Sequence, residues 1–301
     1  MRAVRYHEYG GPDVLRLEDA PAPEAGPGQV RIAVGASAVN RMDIKLRSGA
    51  MASTPLAHPR IPGLDAAGVV DQVGAGVTGV QVGDRVFGAG SATLAELAVL
   101  ETFAPVPEGL SLVQAAALPT VAETAGRVLS LLPGDPGAVL VVDGAAGGVG
   151  TILVQLARRR GLTVVGTASP AKHDVLRHLG ALPTTYGPGL VDRVRALVDH
   201  VDGAADLAGE GSAGELVTLT RDSARVVTIA DFSGATEAVV TDGSDGRSWA
   251  TMTEVADLVA AGELELLVDT ELDWSQAAEA HRRCESGHAT GKVVLTLSDT
   301  W

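Results

Sequence analysis

The residues from Ala138 to Ala157 form the stretch that most restricts how this chain can fold. The first part, 138–142, is apolar and largely β-branched, which is typical of a buried parallel strand. A glycine-dense turn follows, and from Thr151 onward apolar residues recur at helical spacing. A strand, a glycine turn and a helix in this order present backbone N–H groups to a bound diphosphate, because the free amides of the helix start face its negative charge.

The glycine spacing in this turn is GxxGxxG with one extra glycine, and not the GxGxxG of the common dinucleotide fingerprint. A purely structural turn between a strand and a helix is therefore an alternative. A second apolar run at 162–167 follows at the distance expected of a βαβ unit, which favours a dinucleotide site. The predicted phosphate-binding residues are Gly144, Gly147, Gly148, Val149 and Gly150.

The end of the second strand indicates which nucleotide binds. Enzymes that use NAD commonly place an acidic residue there for the ribose 2′-hydroxyl, but here the first acid is Asp174, inside the next predicted helix. Ser169 can donate a hydrogen bond and Lys172 carries a positive charge, which suits a 2′-phosphate. We therefore predict NADPH rather than NADH. The alternative is that Ser169 caps a helix and Lys172 is solvated.

Composition excludes several classes of function. The net charge of −14 argues against nucleic acid and against anionic membrane surfaces as partners. Neither a signal peptide nor an apolar run of membrane-spanning length is recognisable, so we expect a cytoplasmic protein. Cys284 is the only cysteine, so no disulfide within the chain and no cysteine-based zinc site can form. We expect no bound metal.

The pattern of the chain changes near residue 115. Before it, short alternating strands, a short helix at Arg41–Ser48 and frequent Gly and Pro turns predict a small barrel-like fold. Asp43 in that helix is expected to hold local structure, and Ser111 is a candidate N-cap of the helix at the boundary. After it, helices and apolar strands alternate, which predicts a doubly wound parallel sheet. The predicted fold class is therefore α/β, a doubly wound Rossmann sheet plus a β-rich domain. The polar, glycine-rich stretch at 233–248 is predicted to be a surface loop.

Several motifs together resemble the zinc-free medium-chain dehydrogenases/reductases, in particular the quinone oxidoreductase and zeta-crystallin group. They lie at 39–49, 62–70, 82–86, 144–150 and 286–295, and so span nearly the whole chain. The resemblance implies a GroES-like catalytic domain at 1–115, a Rossmann NADP-binding domain at 116–261, a return to the catalytic domain at 262–301, and a homodimer.

The resemblance also implies roles for individual residues. Asn40 matches an active-site asparagine, Thr124 a threonine near the nicotinamide, and Tyr186 a tyrosine packed by the adenosine phosphate. Lys292 is a candidate to contact the cofactor, and Lys45 could add charge or a proton beside the acceptor. Four of these residues have an ordinary structural alternative: Asn40 as a turn residue, Thr124 as a helix-interior threonine, Tyr186 as a surface aromatic and Lys45 as a solvated lysine.

The implied reaction is hydride transfer from NADPH to a small electron-poor acceptor, a quinone or an α,β-unsaturated carbonyl, without metal. In this reading Asn40 donates a hydrogen bond to the developing oxyanion. Two alternatives stay open: a zinc-free enoyl reductase of a biosynthetic pathway, and a non-catalytic NADPH-binding regulatory protein on the same fold.

Overall fold

The computed structural model describes residues 1–209, 211–244 and 246–297, and its chain divides into two compact units. Unit 1 contains Met1–Thr120, Met252–Glu263 and the residues from Val268 onward, and unit 2 contains Val121–Thr251 and Leu264–Leu267. The functional domains at 1–115, 116–261 and 262–301 stay a prediction. Residues 298–301 of the last of these lie outside the described residues.

The strands are numbered in chain order. They are β1 (Arg2–Arg5), β2 (Arg16–Asp19), β3 (Val30–Val39), β4 (Asp65–Val73), β5 (Arg85–Ser91), β6 (Leu97–Pro105), β7 (Val139–Asp143), β8 (Thr163–Thr167), β9 (Leu182–Thr184), β10 (Gly203–Asp206), β11 (Val226–Thr228), β12 (Val239–Val240), β13 (Val268–Asp273) and β14 (Lys292–Thr296). The α-helices are α1 (Arg41–Ser48), α2 (Leu112–Ala116), α3 (Pro119–Ser130), α4 (Gly148–Arg159), α5 (His173–His178), α6 (Leu190–Arg195), α7 (Ala213–Thr220), α8 (Trp249–Ala260) and α9 (Ala277–Glu285).

Unit 2 contains a parallel sheet with the strand order β9-β8-β7-β10-β11-β12. This is the doubly wound order, in which the direction of winding reverses between β7 and β10. All five residues of β7 are buried, which explains why the first four, Val139–Val142, form a continuous apolar run with no polar alternation. The glycine turn follows β7, so it lies at the carboxyl ends of the parallel strands, where such folds bind ligands.

Unit 1 contains a second six-stranded sheet with the order β13-β14-β3-β4-β5-β6. An additional pairing of β3 with β6 closes four of these strands into a barrel. Alternate residues of the strands pack inward around a core that includes Val30, Ile32, Val70 and Leu100. The strand β14, near the chain end, pairs antiparallel with β3, so the C-terminal segment completes the sheet that the N-terminal segment begins.

The predicted fold class is confirmed. The helix at Arg41–Ser48 has the predicted bounds, and Ser111 caps α2 as predicted, accepting a hydrogen bond from the Gln114 amide at 3.1 Å. Within the predicted surface loop at 233–248 the structure places the short edge strand β12. The strands β1, β6, β9 and β13 were not predicted individually.

None of the described helices is both long enough and apolar enough to cross a membrane.

Candidate active site

Asn40 lies in unit 1 at the junction of β3 and α1, where it is the N-cap residue of the helix. Its backbone is extended, with φ −114° and ψ 157°, and its N–H donates to the Asp43 carboxylate at 2.8 Å. The other oxygen of Asp43 accepts the Gly63 N–H at 3.0 Å. Asp43 therefore fixes the start of the helix and the loop before β4 at once, which agrees with the predicted structural role of this residue.

The side-chain amide of Asn40 is held at both ends. Its Oδ1 accepts a hydrogen bond from the Lys292 ammonium at 2.5 Å, and its Nδ2 donates to Asp65 Oδ2 at 2.9 Å. A reversed amide would place a donor against the ammonium, so these two partners set its orientation. Since an amide nitrogen carries two hydrogens, one N–H of Asn40 remains after the bond to Asp65.

Asp65 joins these groups to the start of α3. Its second carboxylate oxygen accepts from the Thr120 hydroxyl at 2.6 Å and from the Thr120 amide at 3.2 Å. The Lys292 ammonium lies 3.8 Å from Asp65 Oδ2 and also donates to the Val39 carbonyl at 3.3 Å. We call Asn40, Asp43, Asp65, Thr120 and Lys292 the Asn40 network.

The electrostatics of the Asn40 network follow from its burial. Asp65 is fully buried, and Asn40, Asp43 and Lys292 are at most 6% exposed. Two carboxylates therefore share a desolvated site with one ammonium. Burial raises the pKa of Asp43 to about 6 against the opposing bonds from the Asn40 and Gly63 amides. Burial also raises the pKa of Asp65, although the Lys292 charge lowers it.

The geometry of this site requires a glycine at position 63. Its φ is +103°, and a Cβ there would lie 2.4 Å from the Thr93 hydroxyl and 2.8 Å from the Leu94 amide. Any other residue would push the loop away from Thr93 and Leu94, and with it the N–H that holds Asp43. Lys45, the second predicted catalytic residue, is half-buried on α1. The structure thus joins Asn40 and Lys292 by a direct contact and places Lys45 on the helix that Asn40 begins.

The glycine turn of unit 2 offers backbone donors. Gly147 is the N-cap of α4, and the first bond of the helix ladder runs from the Thr151 amide to the Gly147 carbonyl at 2.9 Å. The amides of residues 148–150 come before that bond and have no carbonyl of their own helix to bind. A Cβ on Gly150 would lie 2.5 Å from the Gly144 carbonyl oxygen, so the turn is too tight for a side chain there. These features fit the diphosphate of a dinucleotide.

Side chains at the strand ends brace the turn. Thr167, at the end of β8, donates to the Asp143 carboxylate at the end of β7 and accepts the Gly144 amide at 3.1 Å. Ser212 donates to the other oxygen of Asp143 at 2.6 Å. Asp143 is 1% exposed, so the bonds from Thr167 and Ser212 to its carboxylate brace the end of β7 away from solvent.

The residues predicted to contact the adenosine end lie between β8 and α5 and in the loop after β9. Ser169 precedes a short 3-10 turn at Pro170–Lys172 and, among the described residues, accepts no capping bond on its side chain. Lys172 is half-buried in this turn, just after the C-terminal end of β8. Tyr186 is 57% exposed, in the loop whose carbonyls bind Arg193. Their contacts with a nucleotide stay a prediction.

Thr124 is buried on α3 within a polar cluster of unit 2. Its hydroxyl donates to Glu123 at 3.2 Å, and Glu123 forms a two-bond ion pair with Arg127, one turn further along the helix. Arg127 in turn donates to the Thr241 hydroxyl at 2.5 Å, and the Ser248 amide donates to Glu123 at 3.2 Å. The buried ion pair therefore anchors both ends of the described parts of the 241–248 loop to the helix that carries Thr124.

Sequence reasoning missed Asp65 and Thr120 as members of the site. The signal for Asp65 was present, since an acid stands at the head of a strand whose next five residues are apolar and mostly buried. Such a carboxylate must have a partner, because burying an unpaired charge costs several kcal/mol. Its partner Lys292 is 227 positions away in sequence, which spacing alone could not reveal.

Comparisons with known proteins agree with this architecture. Residues 26–106 match the alcohol dehydrogenase GroES-like domain, and residues 186–295 match the zinc-binding dehydrogenase domain. The chain is 33% identical to the NADPH-dependent alkenal/one oxidoreductase of Arabidopsis thaliana, over 98% of this chain and 79% of that protein. It is 32% identical to the quinone oxidoreductase of Mus musculus, over 99% and 98%.

Among solved structures, the quinone oxidoreductase from Coxiella burnetii superposes with a TM-score of 0.88 at 28% identity, covering 99% of both chains. A barrel unit and a doubly wound unit with these motifs define a two-domain dehydrogenase/reductase. The chain belongs to the medium-chain dehydrogenase/reductase family, in its quinone oxidoreductase group, which confirms the resemblance seen in the motifs.

The name of the second matched domain raises the question of zinc. Among residues 1–209, 211–244 and 246–297 there is no group of three or more His, Cys, Asp and Glu side chains that could hold a metal ion. The side chains of the Asn40 network are an amide, two carboxylates, a hydroxyl and an ammonium.

Proposed function

We propose that this chain is an NADPH-dependent reductase that transfers a hydride to a quinone or an α,β-unsaturated carbonyl. Relatives that carry these two activities in their names cover almost the whole chain. The observation that supports this proposal at the acceptor is the geometry of the Asn40 side-chain amide. Lys292 and Asp65 orient this amide, and it keeps one N–H to donate.

The nucleotide would be held by unit 2. The amides of residues 148–150 suit its diphosphate. Because Gly150 has no side chain, the backbone of the turn can stay close to Gly144 and keep these amides in place. Ser169 and Lys172 suit a 2′-phosphate, which supports NADPH over NADH. Thr124 and Tyr186 are proposed to lie beside the nicotinamide and the adenosine. When bound, NADPH supplies the hydride, so the protein need not supply a redox group.

The acceptor's oxygen gains negative charge as its ring or double bond takes up the hydride. A donor already fixed in place stabilises that charge without having to reorganise. We propose that the remaining N–H of Asn40 is this donor, and that Lys292 and Asp65 act as positioning residues. The acceptor also takes up one proton, from Lys45 or from water, and the products are a hydroquinone or a saturated carbonyl.

We also propose that residues 1–115 and 262–301 carry the acceptor site, that residues 116–261 carry the nucleotide site, and that the chain acts as a cytoplasmic homodimer. The edge of the parallel sheet supports a self-pairing surface: Phe232 and Val240, at or near the edge strand β12, are 50% and 45% exposed. Light scattering of the wild-type chain and of Val240→Lys tests this, since a charge on the edge strand should lower the measured mass.

The direct test is NADPH oxidation with a panel of quinones and enones. Turnover with at least one acceptor is expected, and Asn40→Ala should lower kcat about a hundredfold or more, with little change in NADPH affinity. Ser37→Ala is the matched control, since it removes a buried hydrogen bond to the Asp65 carbonyl and leaves the Asp65 carboxylate paired. Tight NADPH binding without turnover across the panel would favour the non-catalytic alternative, and unchanged turnover in Asn40→Ala would remove this residue from the mechanism.

A further inference from the structure

A cavity of about 310 Å³ lies entirely within unit 1, beside the Asn40 network. Asp43 and Gly63, which are bonded to each other, form part of its wall, and Leu46, Ile61, Pro62 and Leu64 form an apolar part. The volume is at the small end of the range for ligand sites, which suits a compact molecule. Asn40 does not itself line the cavity, but its backbone N–H is bonded at 2.8 Å to Asp43 in the wall. The cavity is therefore a candidate site for the part of the acceptor that extends beyond the reacting carbonyl.

Besides Ser91, at the end of β5, the polar side chains of the cavity that do not belong to the Asn40 network are the pair Tyr6 and Arg60. Their backbones form an isolated antiparallel bridge, with N···O distances of 2.9 and 3.0 Å in the two directions. This bridge fixes the base of the Arg60 side chain beside the buried Tyr6 ring. Burial raises the pKa of Tyr6, and the Arg60 guanidinium, which faces its hydroxyl, works in the opposite direction.

Arg60 is exposed, so its guanidinium is accessible to a ligand. The arginines that pair with carboxylates in the described ranges lie elsewhere, for example Arg31 with Asp71 and Arg283 with Asp269. Arg60 is not among them. A guanidinium with donors left over at the wall of an apolar cavity recognises a carboxylate well, because its planar fork can bind both oxygens.

Charge also orients such a ligand. Asp43 lies in the same wall, so the cavity carries an acidic side and a cationic side. An anionic group is repelled from Asp43 and attracted to Arg60, while a neutral carbonyl is tolerated beside Asp43 and the Asn40 network. A molecule with a carboxylate at one end and an enone at the other would therefore enter in one direction.

We infer that this cavity selects acceptors that carry a carboxylate, an unsaturated keto acid in preference to its neutral ester, with Arg60 as the specificity-determining residue. The inference rests on the proposed reductase function, because it names the kind of molecule reduced at that site. The chain's net charge of −14 disfavours anionic ligands at long range, so a local cation is needed for such an acceptor to bind.

The test compares a keto-enoic acid, with two methylenes between its double bond and its carboxylate, with the methyl ester of the same compound. The wild type should show a higher kcat/KM for the acid, and Arg60→Gln should lower the acid-to-ester ratio about tenfold. Arg60→Lys should lie between them, because it keeps the charge and loses the fork. The preference should weaken with added salt, since Arg60 is exposed.

Arg16→Gln is the matched control, because it makes the same change in net charge at an exposed position of the same unit, on β2. An unchanged ratio in Arg16→Gln supports the inference, and an equal fall in both variants would overturn it. So would equal kcat/KM for acid and ester in the wild type, or a fall of the same size for both substrates in Arg60→Gln.

Calorimetric titration with the saturated keto acid and its ester separates this inference from the proposed function. If no acceptor is reduced but the wild type binds the acid more tightly than the ester, and Arg60→Gln removes the difference, then the cavity is an anion site and the reductase proposal fails. If neutral enones are reduced and the acid has no advantage in binding or turnover, the inference about Arg60 fails and the reductase proposal stands.

Discussion

The two candidate sites use polar groups in opposite ways. In the Asn40 network of unit 1, buried polar and charged side chains bind one another, and the backbone amides of Asn40 and Gly63 donate to Asp43. In the glycine turn of unit 2, backbone amides are the donors, and the buried carboxylate of Asp143 accepts bonds that brace the strand ends. The first site depends on which side chains are present, whereas the second depends on which side chains are missing.

This difference determines how each site should respond to substitution. Removing one partner from a group of buried charges leaves another charge unpaired, so the cost falls on folding. Adding a side chain to a tight turn moves the backbone donors, so the cost falls on ligand binding. The four predictions below run from the largest expected effect to the smallest.

Lys292→Met should be the most damaging of these changes. It leaves Asp65 and Asp43 buried with no cation beside them, and we expect a loss of about 3–5 kcal/mol in the free energy of unfolding. Urea titration followed by circular dichroism measures this loss. Asp65→Asn combined with Lys292→Met should recover part of it, because the double variant removes both charges.

The control for this experiment is Arg177→Met, which breaks an ion pair with Asp174 whose side chains are 58% and 97% exposed. An exposed pair of this kind contributes at most about 1 kcal/mol. If Lys292→Met costs no more than Arg177→Met, then the network is not held together by the charge of Lys292.

The pH dependence of stability should carry a signature of Asp43. Its pKa rises from 3.8 to about 6 on folding, so its contribution is fully present below pH 3.8 and is lost as the pH rises through 6. The wild type should therefore lose about 2–3 kcal/mol relative to Asp43→Asn between pH 4 and pH 7. Thermal and urea unfolding of both proteins across this range give the difference directly.

His281 makes the comparison between the two proteins necessary. Burial, followed by the charge of Arg47, lowers the pKa of His281 to about 3, so its contribution is present above pH 6.5 and is lost as the pH falls through 3. That trend opposes the Asp43 trend and hides it when only the wild type is measured.

Asp269 is a control of opposite sign. Against the effect of burial, the bonds from Arg283 lower the pKa of Asp269 to about 2. The wild type should therefore be more stable than Asp269→Asn above pH 3.8, and this advantage should disappear as the pH falls below 3.8. A difference between wild type and Asp43→Asn that does not change with pH would contradict the assignment.

Gly150→Ala tests the other side of the comparison. The added Cβ would meet backbone atoms of Gly144 and Ala145 at 2.5–2.7 Å, so the turn must shift. We expect NADPH affinity, measured by nucleotide fluorescence, to fall about a hundredfold, because strain of this kind costs roughly 1–3 kcal/mol and displaces the donors. Gly214→Ala, on α7, meets nothing within 4 Å and should leave affinity unchanged. Equal affinities of the two variants would show that the turn does not hold the nucleotide.

The sequence predicted the second region better than the first. The strand, the glycine turn and the helix of the nucleotide unit are consecutive, so periodicity and spacing reveal them together, as they did for α4 and its preceding strand. The Asn40 network is assembled from four separate segments, and the contact of Lys292 with Asn40 joins two strands that pair only in the folded barrel. Asn40 could be singled out by motif, and Asp43 given a structural role, but the partners of these side chains depend on strand register.

The same reasoning explains which boundaries were well predicted. The helix at Arg41–Ser48 has a polar residue at its N-cap and a glycine with φ +81° at its end, and both signals are local. The edge strands β1 and β13 are polar and half-exposed, and their existence depends on the neighbours with which they pair. The cavity beside Tyr6 and Arg60 was beyond reach for the same reason, since 54 positions separate these two residues in the chain.

The smallest predicted effect concerns the choice between the two nicotinamide nucleotides. A single lysine at a half-buried position gives a phosphate a modest, salt-sensitive attraction, so Lys172→Ala should weaken NADPH binding about tenfold and NADH binding by less than twofold. The measurement is a pair of dissociation constants for each nucleotide at two salt concentrations, with Arg177→Ala on the neighbouring helix as the control for loss of one positive charge. Since the 2′-phosphate is the one group that distinguishes the nucleotides, only a change in their ratio tests the role of Lys172. A wild type that prefers NADH, or a variant that loses affinity for both nucleotides equally, would contradict the assignment of Lys172 and leave the role of the glycine turn intact.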